Sequence, residues 1–369
     1  MRTCPWTLVV LFLIPAFVGA QISISPNTVV EGGSSTIVLS GGIANRSDKT
    51  NLGGATVVLG ATTGTPTIST NTTNAISIGK LEINSNVDYS LSGLWIINQD
   101  LKFTLGKLVT APSSKLVYTG TADISGSSNS YIQGTLFVQG NAGLRTFPIG
   151  DAKGYAPVVL QQVADADKNT ELGFGVVSAG PTFTLGSGVL DYFKDRFWQF
   201  TNGNTGSYSG SQVWLSSNDT ETFFSDGKSA TVLENDATGT TNDLGASTTS
   251  GYFASNKLAS SSARFYAIGK TDEITLKVHK LITPDGDTKN DVLFVEGIDS
   301  VPENEVTILD RWGVQFYKKK NFVNYPDASL PQQEGVDYSK LAIGNYVVVI
   351  QYNERGTTKS VKQMITVLK

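Results

Sequence analysis

The chain has 369 residues, enough for two or three domains, with 28 Lys and Arg against 32 Asp and Glu and a formal net charge of −4. It has no basic stripe, which excludes nucleic acid as an expected partner. One His and one Cys exclude a zinc site built from several such ligands.

The first stretch, MRTCPWTLVVLFLIPAFVGA, has one positive charge (Arg2), an apolar run from Trp6 to Val18 and a small-residue end. This layout predicts a secretory signal peptide over 1–20, cut between Ala20 and Gln21. The apolar run is shorter than the about 20 residues that span a bilayer core. Cys4 precedes that run, whereas a lipid-bearing cysteine would follow it. The expected mature chain therefore lacks cysteine and rests on hydrophobic cores rather than disulfides. No second apolar run of membrane length follows, so no transmembrane span is expected in the mature chain.

Residues 21–145 hold 13 charged residues; residues 271–369 hold 26. This shift predicts separate domains, with boundaries at 21–145, 146–270 and 271–369. The first region reads as short strands, among them STIVLSG, ATVVLG, AISIGKLEIN and GTLFVQG, each bounded by Gly, Asn, Ser or Pro. Apolar–Gly–apolar phrases place Gly79, Gly106 and Gly134 at spacings of 27 and 28 residues. They predict a β-solenoid, with an ordinary β-sandwich as the other reading.

A sharp corner with Pro148, Gly150, Gly154 and Pro157 opens the second region. Further strands suggest a sandwich-like fold there. Asn235–Gly251 has only Leu244 as a core residue and reads as a long exposed loop.

The last region packs about seven short strands into about 95 residues, which predicts an immunoglobulin-like sandwich. The expected class for the whole chain is all-β. In GNYVVVIQY, Val347, Val349 and Gln351 share one face, and Val348, Ile350 and Tyr352 share the other. Trp312, beside Gly313, reads as a core residue worth about 1.5–3 kcal/mol by burial.

Three phrases in this region occur in order: ITPDGDTKNDVLFVEGI, ILDRWGVQFY and LAIGNYVVVI. Together they resemble the gliding-motility-associated C-terminal domain, the type B sorting domain of the type 9 secretion system of Bacteroidota. Pro284, Gly286, Asp287, Asn290, Asp291, Arg311, Trp312, Gly313, Gly344 and Tyr346 match that family's phrases in order and spacing. Asp285, Thr288, Asp310 and Asn345 depart from them, and the family's W-D-G step is replaced by NFVNYPDASL. The resemblance covers Lys277–Lys369. It implies export through the type 9 translocon to the cell surface or medium, with a PorP/SprF-family outer-membrane protein as a partner.

Asp285, Asp287, Asn290 and Asp291 share one turn, a spacing at which oxygen ligands hold Ca²⁺. The favoured reading is plainer: these side chains cap backbone amides of the turn. His279 is the sole histidine and reads as a strand-end residue rather than a catalytic one. Trp95, Trp198, Trp214, Tyr155 and Tyr192 could stack on sugar rings, but their apolar neighbours favour the core. Lys318–Lys320 reads as a solvated turn.

The expected function is a non-enzymatic, exported cell-surface structural or adhesion protein, with a surface glycan or self-assembly as the passenger's contact. The alternative is a secreted carbohydrate-binding or carbohydrate-active protein that uses the same sorting domain.

Overall fold

A computed structural model of the protein describes residues 21–26, 30–48, 50–70, 75–186, 188–203, 208–236, 238–287, 289–301, 303–324, 332–333, 336–354 and 356–369. The leader expected at 1–20 lies outside these residues, as do Thr288, Pro302, Arg355 and most of NFVNYPDASL. The fold is all-β, and its only helical pieces among the described residues are three short 3-10 turns. The chain forms two compact units. One runs to Ala179 and includes Arg196–Ser209; the other comprises Gly180–Asp195 and Gly210–Lys369.

The first unit is built on a β-solenoid of about six turns. Seven short strands stack in parallel: Gln21–Ile24, Gly42–Asn45, Thr67–Thr70, Tyr89–Ser92, Leu108–Thr110, Ile132–Gln133 and Ile149–Gly150. A second parallel stack starts with Val30–Glu31 and Thr36–Leu39 on Thr50–Leu59. It continues through Ile76–Asn84, Leu94–Leu105, Lys115–Tyr118 and Leu136–Val138. In-register stacking turns alternating sequences into continuous apolar ladders. Leu52, Ile78, Ile97, Tyr118 and Val138 form one, and Ile76, Trp95, Leu116 and Leu136 another. All nine are buried. Burial of each large side chain contributes about 1.5–3 kcal/mol, an upper figure given residual burial in the unfolded chain.

The glycines named from sequence do not mark one phase of the coil. Gly79 belongs to a corner that also holds Gly33, Gly54, Gly120 and Gly140, where successive coils touch backbone to backbone. A methyl at Gly79 would lie 2.8 Å from the Gly53 carbonyl oxygen, and one at Gly120 would lie 2.5 Å from that of Gln99. Gly106 packs against Ser85 at a second corner, and Gly134 against Thr110 at a third. The 27- and 28-residue spacings are therefore not the repeat. Leu108 stacks on Tyr89, 19 residues earlier, whereas Ile68 stacks on Ile43, 25 residues earlier. Coil length varies because the corners absorb insertions while the strands keep register.

Antiparallel strands close the far end of the solenoid. Leu136–Val138 pairs with Leu172–Val177, which pairs with Phe197–Asn202. Arg145, on the strand Gly143–Phe147, is fully buried beside this junction. Its guanidinium donates to five carbonyl oxygens, those of Asn141, Val138, Thr170, Asp167 and Lys168, at 2.6–3.3 Å. Burial pushes its pKa down to about 10, so it stays charged at neutral pH. Arg196 and Asp151 form a second buried charge contact at 3.1 Å.

In the second unit, the segment expected as a long loop is paired. Ser229–Asp236 and Thr241–Asp243 form a hairpin, as do Ser247–Thr249 and Tyr252–Ala254. The Asp236 carboxylate accepts the amides of Thr238 and Thr240 at 2.8 and 3.0 Å, so a side chain builds the turn. Threonine suits strands as well as turns, which is why a polar run concealed them.

The C-terminal region holds a five-stranded sheet in the order Leu281–Ile282, Thr357–Val367, Gly344–Glu354, Asn304–Leu309, Gln315–Lys320. Lys277–Val278 and Val295–Glu296 form a separate two-stranded ribbon. Val278 and Val295 from the ribbon share one core with Val306, Ile308, Val348, Ile350, Ile365 and Val367 from the sheet. As the alternation predicts, Val348, Ile350 and Tyr352 face inward.

Candidate functional site: the motif-bearing end of the C-terminal sheet

Strand register brings the three sequence phrases together. Ile282 lies opposite Val367, and Val367 opposite Gly344. Leu309 lies opposite Val347 on the next strand. The Thr283–Asp291 loop, the Asp310–Gly313 turn and the Leu341–Tyr346 segment thus leave the sheet at the same end. Three strand spacings, about 15 Å, separate the outer two.

The first loop is held by its own side chains. Asp291, fully buried, accepts the Gly286 amide at 2.8 Å. Asp285 accepts the Asp287 amide at 3.1 Å, and Asp287 the Lys289 amide at 2.8 Å. The Asn290 carbonyl receives the Thr283 amide at 2.7 Å. Gly286 and Asn290 adopt positive φ, +84° and +58°, as a tight turn requires. Pro284 is buried beneath the loop. The carboxylate oxygens of Asp285, Asp287 and Asp291 lie within 4.8 Å of one another. Each therefore acts as an amide cap, and together they form a compact acidic cluster.

The second turn corrects an expectation. Trp312 is not a core residue; it is 78% exposed. Asp310 accepts the amides of both Trp312 and Val314 at 2.8 Å, which directs the indole out of the hairpin tip. Gly313, at φ +81°, completes the turn. The Arg311 guanidinium sits 5.2 Å from the Trp312 ring centre. Val314 and Ile343 are also largely exposed, and Leu368 is partly so. A hairpin tip is where exposure is expected, and that was the signal available in the sequence.

The third segment is anchored by Tyr346. Its ring is buried, and its hydroxyl donates to the Ala342 carbonyl at 3.1 Å. The substituted Asn345 accepts the Thr366 hydroxyl at 3.0 Å.

The remaining candidates lie elsewhere. His279 Nε2 is 2.8 Å from Glu296 Oε1, which also meets Lys277 Nζ at 2.9 Å. Lys277 and then His279 hold the Glu296 carboxyl below the usual carboxylate range. The His279 ring packs on Phe294 at 5.0 Å. Trp95, Trp198 and Tyr192 are buried, as expected, while Trp214 and Tyr155 are half-buried. Lys318, Lys319 and Lys320 lie on a strand rather than a turn, with Lys318 paired to Glu305 at 2.7 Å.

The family model of the CHU_C type IX secretion signal domain matches residues 276–367. Those residues form a type IX secretion signal domain. This signal implies an exported protein, handled by the type IX machinery and delivered to the cell surface or medium. The match covers a quarter of the chain and leaves the solenoid outside it. No curated protein and no solved structure matches the chain. Among the described residues, no helix is long and apolar enough to cross a membrane. Among the ten motif residues of the signal domain, Pro284, Asp291 and Tyr346 build the end of the sheet from inside, while Arg311 and Trp312 project from it.

Proposed function

We propose that the protein is a non-catalytic surface component, led across the inner membrane by residues 1–20 and displayed outside the cell as a structural or adhesive β-solenoid. The type IX secretion signal domain offers its motif-bearing end to the export machinery. A PorP/SprF-family outer-membrane protein is the partner that the family resemblance suggests. The observation that carries the reading is Trp312: a large aromatic held outward by Asp310, which adds nothing to the core and is available to a partner. Exposed Trp and Arg are the residue types that dominate protein interfaces.

The test is secretion of the full chain, epitope-tagged, in a type IX-competent host, with a translocon-null strain beside it. Surface or medium signal that disappears in the null strain and falls sharply with Trp312→Ala supports the reading. Equal export of the variant and the parent chain removes Trp312 from recognition.

A further inference from the structure

The five-stranded sheet of the signal domain is open along one flank. Thr357–Val367 pairs over its whole length with Gly344–Glu354. On its other side it pairs only with Leu281–Ile282, at Thr366 and Val367, among the described residues. Thr366 and Leu368 donate their amides to the carbonyls of Lys280 and Ile282 at 2.8 and 3.0 Å. Alternate residues of a strand point their backbone groups the same way, so Ser360, Lys362 and Met364 present theirs to this flank. The Met364 carbonyl accepts the Gln363 side-chain amide at 2.9 Å, a local bond at an edge without a partner strand. Beside the edge lies a groove of about 640 Å³. Val361 and Gln363 form one wall, and Lys277–Leu281, where the chain leaves the ribbon for the sheet, forms the other. Lys277, His279 and Lys280 line it, and no Asp or Glu does among the described residues. Asn324 bonds to both backbone groups of Val295 at 2.8 and 2.9 Å, so Val295–Glu296 separates it from the groove wall.

We infer that this flank takes up an extended acidic segment of a partner protein, which adds a strand to the Ser360–Met364 edge and sets its carboxylates against Lys277 and Lys280. The two walls together select that occupant. The edge offers donors and acceptors at strand spacing, which an extended backbone satisfies in full. The edge is about 13 Å long, room for a partner strand of about five residues. The opposite wall offers positive charge without negative charge, which favours an acidic segment over a neutral or basic one. Val361 is half-buried and Leu281 is 38% exposed, apolar surface for the side chains that alternate with the acidic ones. A second copy pairing through the same edge would bring Lys359 and Lys362 of one chain beside those of the other, a like-charge contact that opposes it. Edge lysines thus exclude their own kind and leave an acidic strand unopposed. Trp312 sits on the turn at the opposite edge of the sheet, so the flank is a second surface, independent of recognition through Trp312.

The experiment follows a fluorescein-labelled peptide of alternating Val and Glu binding to the purified full chain by fluorescence polarisation. A matched peptide of alternating Val and Lys, and a Val–Glu peptide N-methylated on alternate amides, are the comparisons. The acidic peptide should bind at least about tenfold more tightly than either, and more weakly as salt rises. Lys280→Glu should weaken it about tenfold or more. Lys362→Pro removes an N–H that faces the flank and no bond of the sheet, and should abolish binding, while Lys362→Gln keeps most of it. Unchanged circular dichroism and melting curves separate these losses from misfolding. If Lys362→Pro does not fold, Lys280→Glu decides, since Lys280 is exposed. Hydrogen exchange at Ser360, Lys362 and Met364 should be fast in the free chain and slowed by the peptide. No binding of the acidic peptide, equal binding of either comparison peptide, or full binding by Lys280→Glu overturns the inference. So does slow exchange at this edge in the free chain, which assigns the flank to a second copy or to another segment of the same chain; light scattering distinguishes those two.

Discussion

The Asp310 carboxylate accepts the backbone N–H of Trp312 at 2.8 Å, and this one contact turns the largest side chain of the hairpin away from the core. Stability and export should therefore separate at the tip. Trp312→Ala is expected to change unfolding free energy by no more than about 0.5 kcal/mol, as for an ordinary surface site. Asp310→Ala removes the one carboxylate oxygen that accepts both amides and should cost about 1–3 kcal/mol. Asp310→Asn should restore most of it, since the amide oxygen accepts the same bonds. Denaturant titration of the three variants checks the ranking.

Arg145 should be the most sensitive polar position of the first unit. It satisfies five carbonyl oxygens from two chain segments, 138–141 and 167–170, at the solenoid's closed end. Arg145→Lys keeps the charge but cannot reach all five, and should lose at least about 3 kcal/mol by leaving buried acceptors unpaired. A variant that melts with the parent chain would refute the assignment.

Coil-to-coil contact at the glycine corner predicts a sharp positional contrast. Gly79→Ala would set a methyl 2.8 Å from the Gly53 carbonyl oxygen and should cost about 1–3 kcal/mol. Gly186→Ala meets open space and should be neutral or slightly stabilising. Paired thermal melts decide this.

Alkaline pH should weaken the solenoid through two phenols. Burial raises the Tyr89 and Tyr118 hydroxyls from 10.0 to about 12. Tyr89 donates to the Leu39 carbonyl at 2.6 Å, and Tyr118 to that of Ala122 at 2.9 Å. Their folded pKa lies above the unfolded one, so the contribution is complete below pH 10 and is lost as pH rises from 10 through 12. Each supplies at most about 3 kcal/mol over that window. Tyrosinate absorbance should show these two groups ionising after exposed tyrosines, together with loss of the fold. The double Phe variant should flatten the pH dependence.

The acidic loop tests the choice between capping and calcium. With each carboxylate already bonded to a loop amide, millimolar Ca²⁺ should leave the melting temperature unchanged. A rise that Asp287→Asn abolishes would reverse that choice and make the loop a calcium site.

The secretion signal domain was readable because its phrases are local. Gly286 and Gly313 occupy positive-φ turns that a side chain would strain, and the Val347–Tyr352 alternation gives its own inside and outside. The solenoid was only half readable. Its strands showed in the sequence, but Gly79, Gly106 and Gly134 sit at three different corners, because coils of 17 to 26 residues stack without keeping a period. Asn235–Gly251 was misread because threonines and a side-chain-built turn look like loop in a linear pattern.

By itself, the sequence determined the β class, the absence of an intrachain disulfide, since the chain has one cysteine, and the route of export, because composition, alternation and turn residues act over a few neighbours. Only the tertiary structure decided which residues of those motifs face outward. Trp312 looks like core by residue type and is surface by position, because a carboxylate two residues earlier takes its amide. It also decided that three phrases spread from Pro284 to Tyr346 share one end of a sheet, and that antiparallel strands close the far end of the solenoid. Those outcomes depend on strand pairing between residues far apart in the chain, a free energy that no local pattern contains.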